Sequence, residues 1–184
     1  MLLLASTREG EEELLLRETR QGDASFLTVV VPRHPQRFDE VAQSADVRRT
    51  RQALPDKRAK VYLDDTMGEM PFYYAGCDVA VIGGSFLPLG GQNLIEALAS
   101  GAPVVTGPSM FNFAEATRLA LEARAAIQAG DAAGALRAAL ELVRDPARRE
   151  QMAAAGRRLC EAHRGATARH LTVCRRLLTG AGRG

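Results

Sequence analysis

Short apolar runs alternate with amphipathic stretches along the 184 residues of this chain. The apolar runs are rich in leucine and valine, which is typical of buried strands. These predicted strands are residues 2–6, 26–31, 61–63, 79–82 and 104–106. The stretches between and after them predict helices over 10–22, near Arg37, and over 70–76, 93–100, 113–122, 131–143 and 146–178, the last broken near Gly165. This alternation predicts an α/β fold with a parallel sheet and helices on both faces.

Residues 43–60 interrupt the alternation. They are charged and contain few large apolar side chains, so we expect a mobile surface loop. The first helix has a clearer start, because Ser6 and Glu9 stand at the spacing of a capping box. Residues 11–13 are all glutamates, and their negative charge complements the dipole at the helix N-terminus.

The composition is that of an ordinary globular protein. With 46% hydrophobic residues the chain can bury a core, and its length fits one domain. A formal net charge of +2 gives no reason to expect nucleic acid as a partner. Cys77, Cys160 and Cys174 form no C-x-x-C pair, and no apolar run approaches the roughly 20 residues of a membrane span. We therefore expect a soluble protein with reduced thiols, as in the cytosol.

The stretch from Gly83 to Pro108 is rich in glycine and proline, although a predicted strand enters it and another lies within it. Its first glycines lie between the end of the strand 79–82 and the start of the helix 93–100. Ligands of parallel α/β sheets bind at such places, because backbone N–H groups and the helix N-terminus point at the same spot. We expect an anion there.

Asn93 and Glu96 are three residues apart and therefore face the same side of the first turn of that helix. A carboxylate there can accept hydrogen bonds from both vicinal hydroxyls of a ribose. Gly90 and Gly91 would let the backbone approach the neighbouring phosphate. The spacing leaves a second interpretation open, in which Asn93 only caps the helix and Glu96 only complements its dipole.

Arg33 follows a predicted strand and lies between Pro32 and Pro35, which stiffen the backbone. An arginine at the carboxyl edge of a parallel sheet can make a forked contact with a phosphate or carboxylate, although an ordinary surface arginine fits the pattern as well. Asp64 and Asp65 suggest a metal-bound nucleotide at first sight. Adjacent residues at a strand end point to opposite faces, so we expect no metal site.

The last predicted helical stretch is strongly basic. From Arg144 to Arg176 it contains nine arginines against Asp145, Glu150 and Glu161. This excess fits a solvated helix, and it also fits contact with a polyanion or an anionic membrane surface. The sequence offers no Ser-His-Asp arrangement and no Cys-His pair.

A series of motifs in this order resembles the carboxyl-terminal half of the 3-deoxy-D-manno-octulosonic acid (Kdo) transferases. The motifs are STREGEEE from Ser6, VPRHPQRF around Pro32, DTMGEM from Asp65, GGSFLPLGGQNLIEALASGAPVVTGP from Gly83 and FNF from Phe111. The similarity covers about residues 3–125 and extends toward the end of the chain. It implies a single Rossmann-like domain, the carboxyl-terminal half of a glycosyltransferase B fold.

The resemblance implies that residues 1–184 form the domain that binds the donor, CMP-Kdo, for transfer to a lipid A precursor in lipopolysaccharide biosynthesis. The implied binding residues are Pro32 and Arg33 at the CMP, Met67 and Gly68 at its base or phosphate region, Asn93 and Glu96 at phosphate and ribose, Gly90 and Gly91 as points of close approach, and Ser6 of the first motif. The resemblance implies no metal and no other cofactor.

The chain also departs from the family. Arg8 and Gln92 stand where the family usually has histidine, which puts contacts that need an imidazole in doubt. The family's catalytic base, a glutamate, and its membrane anchor belong to the amino-terminal half, so we expect no catalytic residue among these 184 residues. The chain would then be a soluble, catalytically incomplete donor domain, with residues 146–184 as a basic helical segment that could touch a membrane surface.

The intact relatives are expected at the cytoplasmic face of the bacterial inner membrane, where the other half would hold the acceptor. Two alternatives stay open. One is a glycosyltransferase or epimerase of the same fold that uses a UDP-sugar. The other is a non-catalytic nucleotide-binding module whose basic last helix contacts a partner.

Overall fold

The strands form one parallel sheet. The computed structural model describes residues 1–21, 26–52 and 54–180. Its strands are β1 (Leu2–Thr7), β2 (Thr28–Pro32), β3 (Val47–Arg48), β4 (Val61–Leu63), β5 (Val79–Ile82), β6 (Val104–Thr106) and β7 (Ala126–Gln128). They lie in the order β3-β4-β2-β1-β5-β6-β7, and every neighbouring pair is parallel. The predicted parallel sheet is confirmed.

Helices connect these strands and continue beyond the last one. They are α1 (Glu11–Gln21), α2 (Phe38–Val41), α3 (Met70–Gly76), α4 (Ile95–Ser100), α5 (Ala114–Glu122), α6 (Ala132–Arg144), α7 (Pro146–Ala162) and α8 (Ala166–Gly180). The predicted break near Gly165 is confirmed, because this residue has φ +83° and separates α7 from α8. The end of the predicted helix 10–22 and residues 181–184 lie outside the described residues.

Two hydrophobic layers cover the two faces of the sheet. Side chains alternate along β1, so Leu3 packs in one layer and Leu4 in the other. The layer of Leu3 includes side chains of α3, α4, α5 and α7. The layer of Leu4 includes side chains of α1, α2 and α6, together with Met152 of α7. The predicted arrangement of helices on both faces is therefore confirmed.

The two edge strands were not predicted from the sequence. β3 lies inside residues 43–60, so the expectation of a loop throughout that segment is wrong at Val47 and Arg48. β7 follows α5 and pairs with β6, with Ile127 beside Val105. β3 has only two residues, one of them Arg48, and β7 ends at the exposed Gln128, so neither gives the run of buried residues that reveals the three-residue strands β4 and β6. Pairing with a buried neighbouring strand forms them instead.

The start of α1 also differs from the prediction. Ser6 has φ +56° at a bulge of β1 and lies five residues before the helix begins at Glu11. The backbone N–H of Arg8 donates to Oε2 of Glu11 over 2.9 Å, and the carbonyl of Arg8 accepts from the N–H of Glu11. The capping contact expected between Ser6 and Glu9 is thus made between Arg8 and Glu11.

Candidate functional site

A cleft of about 450 Å³, lined by both polar and apolar residues, opens beyond the carboxyl ends of the central strands. The end of β1 and the loops that follow β2, β4 and β5 contribute to it, as expected for a ligand site in a parallel α/β sheet. Seven of the nine binding residues predicted from the sequence line it: Ser6, Pro32, Arg33, Met67, Gly68, Asn93 and Glu96. Their roles toward a ligand stay predictions, but the structure brings these seven residues to one cleft.

Arg33 supplies a positive charge at the cleft. Its backbone is fixed directly after β2, because its N–H donates to the carbonyl of Thr7 over 2.9 Å. Its side chain is exposed and forms no ion pair within residues 1–21, 26–52 and 54–180. An unpaired guanidinium on a fixed backbone is suited to bind an anion.

Asn93 and Glu96 contact each other at the edge of the cleft. Nδ2 of Asn93 donates to Oε1 of Glu96 over 3.0 Å, and Oδ1 of Asn93 accepts from the backbone N–H of Ile95 over 3.0 Å. Asn93 lies just before α4 and not in its first turn, since the helix begins at Ile95. Asn93 thus caps the helix by binding a free N–H at its start, and its amide also contacts the exposed carboxylate of Glu96. The contact of that carboxylate with a ribose stays a prediction.

Gly90 and Gly91 do not line this cleft, unlike the other predicted residues. Both have positive φ angles, +87° and +81°. The N–H of Gly90 donates to Oγ of Ser109 and that of Gly91 to the carbonyl of Gly84, over 3.1 and 2.6 Å. A Cβ at Gly91 would also collide with Met110. The structure thus gives both glycines a packing role, and their approach to a phosphate stays a prediction.

Gly68 lies at the cleft for a different reason. It has φ +85° in the loop between β4 and α3, and a Cβ added to it would meet no atom within 4 Å. Its backbone conformation, and not crowding by the protein, therefore favours glycine. Met67 beside it is an exposed apolar side chain, 59% accessible, which a flat base could cover.

Thr66 and Glu69 of the cleft belong to a polar network that was not predicted from the sequence. Oγ1 of Thr66 lies 2.7 Å from Oε2 of Glu69, and Arg49 contacts the same oxygen through Nε over 2.6 Å. The hydrogen bond from Thr66 and the guanidinium of Arg49 lower the pKa of Glu69. Glu69 belongs to the DTMGEM motif, which could have suggested it. Arg49 lies in the segment expected to be a loop, and its side chain gave no signal in the sequence.

Asp64 and Asp65 turn to different partners, as expected for neighbours at a strand end. Asp64 accepts from the N–H of Thr66, and burial raises its pKa. The hydroxyl of Thr66 lies 2.7 Å from Oδ1 of Asp64 and 2.7 Å from Oε2 of Glu69, and its single proton is donated to one of them at a time. Asp65 accepts from Arg48 and from the N–H and hydroxyl of Thr50. Burial alone would raise the pKa of Asp65, but the bonds from Thr50 and Arg48 together outweigh it and lower the pKa.

These opposite shifts predict opposite effects of pH on stability. The pKa of Asp65 is lower in the folded chain than in the unfolded chain. Its contribution to the stability of the fold is therefore complete above about pH 3.8 and is lost as the pH falls below that value. We expect Asp65→Asn to lower the free energy of unfolding by about 1–2 kcal/mol at pH 7, with a smaller effect below pH 3.8. Urea unfolding at both pH values measures this.

Asp64→Asn is the matched control. The pKa of Asp64 is raised, so its ionisation opposes folding as pH rises above about 3.8. Asn at this position keeps an acceptor for Thr66 and removes the buried charge, so the variant should lose less stability at pH 7 than Asp65→Asn does. A larger loss for Asp64→Asn, or a pH-independent loss for Asp65→Asn, would contradict these assignments.

The remaining features bear less directly on the cleft. No disulfide joins Cys77, Cys160 and Cys174. Within the described ranges, no group of three or more His, Cys, Asp and Glu side chains could hold a metal ion. Within the same ranges, no helix is long and apolar enough to cross a membrane. The expectation that nucleotide binding needs no metal stays a prediction.

Several known proteins are similar to this chain in sequence. No model of a known protein family matches the chain. The chain is 49% identical to the 3-deoxy-D-manno-octulosonic acid transferase of Bordetella pertussis, over 93% of this chain and 43% of that protein. It is 36% identical to the corresponding transferase of Haemophilus influenzae, over 93% of this chain and 42% of that protein. The chain thus spans less than half the length of these curated relatives.

Solved structures show the same relation. The C-terminal CMP-Kdo binding domain of WaaA from Acinetobacter baumannii matches with a TM-score of 0.81 and 32% identity, over 86% of this chain and 87% of that one. HepE from Anabaena, crystallised with UDP-glucose, matches with a TM-score of 0.69 over 97% of this chain and 48% of that one. At 16% identity, HepE shows the fold alone.

The sheet order, the helices on both faces and the cleft beyond the carboxyl ends of the strands define the chain as a Rossmann-like domain of the glycosyltransferase B class. Its similarity extends over nearly the whole of the WaaA domain and over almost half of two Kdo transferases. The chain belongs to the Kdo transferase family. The predicted fold class and the predicted family resemblance are both confirmed.

Proposed function

We propose that this chain binds the nucleotide sugar CMP-Kdo in the cleft and acts as the donor-binding domain of a Kdo transferase. One observation carries the proposal. The DTMGEM loop, Arg33 of the VPRHPQRF motif and the Asn93–Glu96 pair all lie in one cleft. A protein that matches over 87% of its own length is a CMP-Kdo binding domain, which supports the same ligand.

In this proposal, different residues of the cleft bind the phosphate, the ribose and the base. Arg33 is the unpaired cation for the phosphate, and Glu96 offers a carboxylate for the ribose hydroxyls. The exposed side chain of Met67 and the open backbone of Gly68 leave room for the base. Ser6 and Pro32 would complete the floor next to the phosphate.

In the proposed reaction, a hydroxyl of a lipid A precursor attacks the anomeric carbon of Kdo, and CMP leaves with the bonding electrons. A glutamate in the other half of the transferase would accept the hydroxyl proton. Negative charge builds on the departing phosphate, so a cation that is already positioned stabilises the transition state more than the ground state. Arg33 is the residue of this chain placed for that task.

We also propose that α7 and α8 contact the membrane surface at which such an acceptor resides. The intact protein would then lie at the cytoplasmic face of the inner membrane. Large apolar side chains of α8 are exposed: Leu171 (50%), Val173 (53%), Leu177 (68%) and Leu178 (78%). Together with the arginines of α7 and α8, they form the pattern of a surface-binding amphipathic helix. Co-sedimentation with anionic vesicles but not with zwitterionic ones would support this contact, and equal recovery would remove it.

Calorimetric titration of the chain with CMP, UDP and CMP-Kdo tests the donor assignment. We expect CMP and CMP-Kdo to bind and UDP to bind more weakly, with the same affinities in EDTA because no metal takes part. Binding of UDP in preference to CMP would favour a UDP-sugar enzyme of the same fold. Turnover of a lipid A precursor by this chain alone would show that the catalytic base lies within it.

A further inference from the structure

Glu11 is a buried carboxylate with an unusual set of partners. Its side chain has no accessible surface and forms no ion pair within the described part of the chain. Instead, Oε2 accepts the backbone N–H groups of Arg8 and Gly84, over 2.9 and 2.5 Å, and Oε1 accepts that of Phe86 over 2.8 Å. A buried charge is tolerated when several hydrogen bonds satisfy it, and these three come from the backbone.

Two of these bonds connect α1 to residues 83–94, the glycine loop between β5 and α4, more than 70 residues away in the sequence. Gly84 in turn accepts the N–H of Gly91 at its carbonyl over 2.6 Å. It also lies against Gln92, since a Cβ built on it would come within 3.2 Å of Cγ of that residue. Gln92 lines the cleft, and Asn93 follows it directly. A continuous series of contacts therefore runs from Glu11 to the predicted ribose-binding pair.

We propose that Glu11 is a positioning residue for the nucleotide cleft. Its carboxylate fixes the loop at Gly84 and Phe86, and the loop holds Asn93 and, through it, the carboxylate of Glu96. The proposal rests on the proposed function, because it assigns Glu11 a part in nucleotide binding at the same cleft. It differs from the sequence interpretation, in which Glu11 only complements the dipole of α1.

Glu11→Gln tests this with little change in volume. A carboxylate has acceptors on both oxygens, whereas the amide of glutamine turns an NH₂ group toward one set of the backbone N–H groups. The loop must then shift or lose a hydrogen bond at Gly84 or at Phe86. We expect CMP to bind on the order of tenfold more weakly, the size of effect known for residues that orient metal-binding side chains.

Glu12→Gln is the matched control. Glu12 lies on the same helix, is 4% exposed, and contacts the hydroxyl of Thr7 over 3.0 Å and Arg37 over 3.1 Å. It makes no hydrogen bond to the glycine loop in the described residues. This variant should lose stability comparably to Glu11→Gln while keeping the CMP affinity of the wild type.

The two variants and the wild type are compared by calorimetry at a temperature at which all are folded, and by amide NMR spectra without nucleotide. Weaker CMP binding in Glu11→Gln alone, with shifted amide signals of Gly84 and Asn93, supports the proposal. Wild-type affinity in Glu11→Gln, or equal losses in both variants, overturns it. If the wild type binds no CMP, the proposed function fails, and an unmoved Asn93 signal in Glu11→Gln then separately refutes the connection through the loop.

Failure of Glu11→Gln to fold leaves a test in the wild type. The amides of Gly84 and Phe86 should exchange slowly with solvent, and their signals should move when CMP is added, although neither residue lines the cleft. Unchanged signals at both amides on saturation with CMP would overturn the proposal.

Discussion

Replacing Arg33 by alanine is expected to weaken CMP binding by roughly tenfold to a hundredfold. The guanidinium would make charge-assisted hydrogen bonds to the phosphate, and their loss costs about 1.5–3 kcal/mol. The side chain is exposed and forms no ion pair in the described residues, so stability should change by no more than about 0.5 kcal/mol. Titration with CMP and thermal unfolding of the same samples measure both effects.

Arg33→Lys and cytidine refine this prediction. Lysine keeps the charge but not the fork, so it should recover only part of the affinity. Cytidine lacks the phosphate, and Arg33→Ala should therefore leave its affinity nearly unchanged. An equal loss of affinity for CMP and cytidine would show that Arg33 does not contact the phosphate.

Replacing Glu96 by alanine is expected to weaken binding of CMP by roughly tenfold or more, and to affect the 2′,3′-dideoxy analogue little. If the carboxylate accepts bonds from both ribose hydroxyls, its removal costs about 1.5–3 kcal/mol. The hydrogen bond from Asn93 holds this carboxylate at the cleft edge before any ligand arrives. The dideoxy analogue has already lost the hydroxyls, so the mutation removes nothing from its complex.

The alternative role of Glu96 makes a different prediction. A charge that only complements the dipole of α4 would contribute about 0.3–1 kcal/mol of stability and would leave the ratio of the two affinities unchanged. Titration of both nucleotides against wild type and Glu96→Ala, with the melting temperature recorded, separates these roles. Equal losses for the two ligands would remove Glu96 from the ribose site.

The central part of the fold could be predicted from the sequence because its signals are local. β5 and β6 are buried apolar runs, and their bounds agree with the prediction. The edge strands β3 and β7 depend on a partner strand for their hydrogen bonds, and their own sequences do not predict a strand. Arg48 illustrates this, because a charged residue in an apparent loop is ordered by Asp65 and Asp39.

The candidate site shows the same division. Arg33, Asn93 and Glu96 were identified because each follows a strand or begins a helix, and those positions determine where a side chain can lie. Two of the three backbone partners of Glu11 are separated from it by more than 70 residues, so its spacing on the helix could not reveal them. Arg49 joins the polar network next to the cleft for a similar reason, through contact with Glu69 after the chain has folded.

Gly90 and Gly91 show how one sequence pattern can serve two purposes. Glycines after a strand are expected where a backbone approaches a phosphate, and that expectation placed them in the site. In the structure both are needed for positive φ angles and for close packing against Ser109 and Met110. Their position in the sequence was informative, but the physical cause of the pattern lies at least partly within the protein.

A crystal structure of the chain with CMP tests the central claim most directly. We expect CMP in the cleft, with its phosphate at the guanidinium of Arg33 and its ribose hydroxyls at the carboxylate of Glu96. CMP bound elsewhere would contradict this. One such place is another cleft, next to α7, that is lined by Arg124, Arg148 and Arg158. A fully formed nucleotide complex in which Arg33 and Glu96 touch neither phosphate nor ribose would contradict it as well.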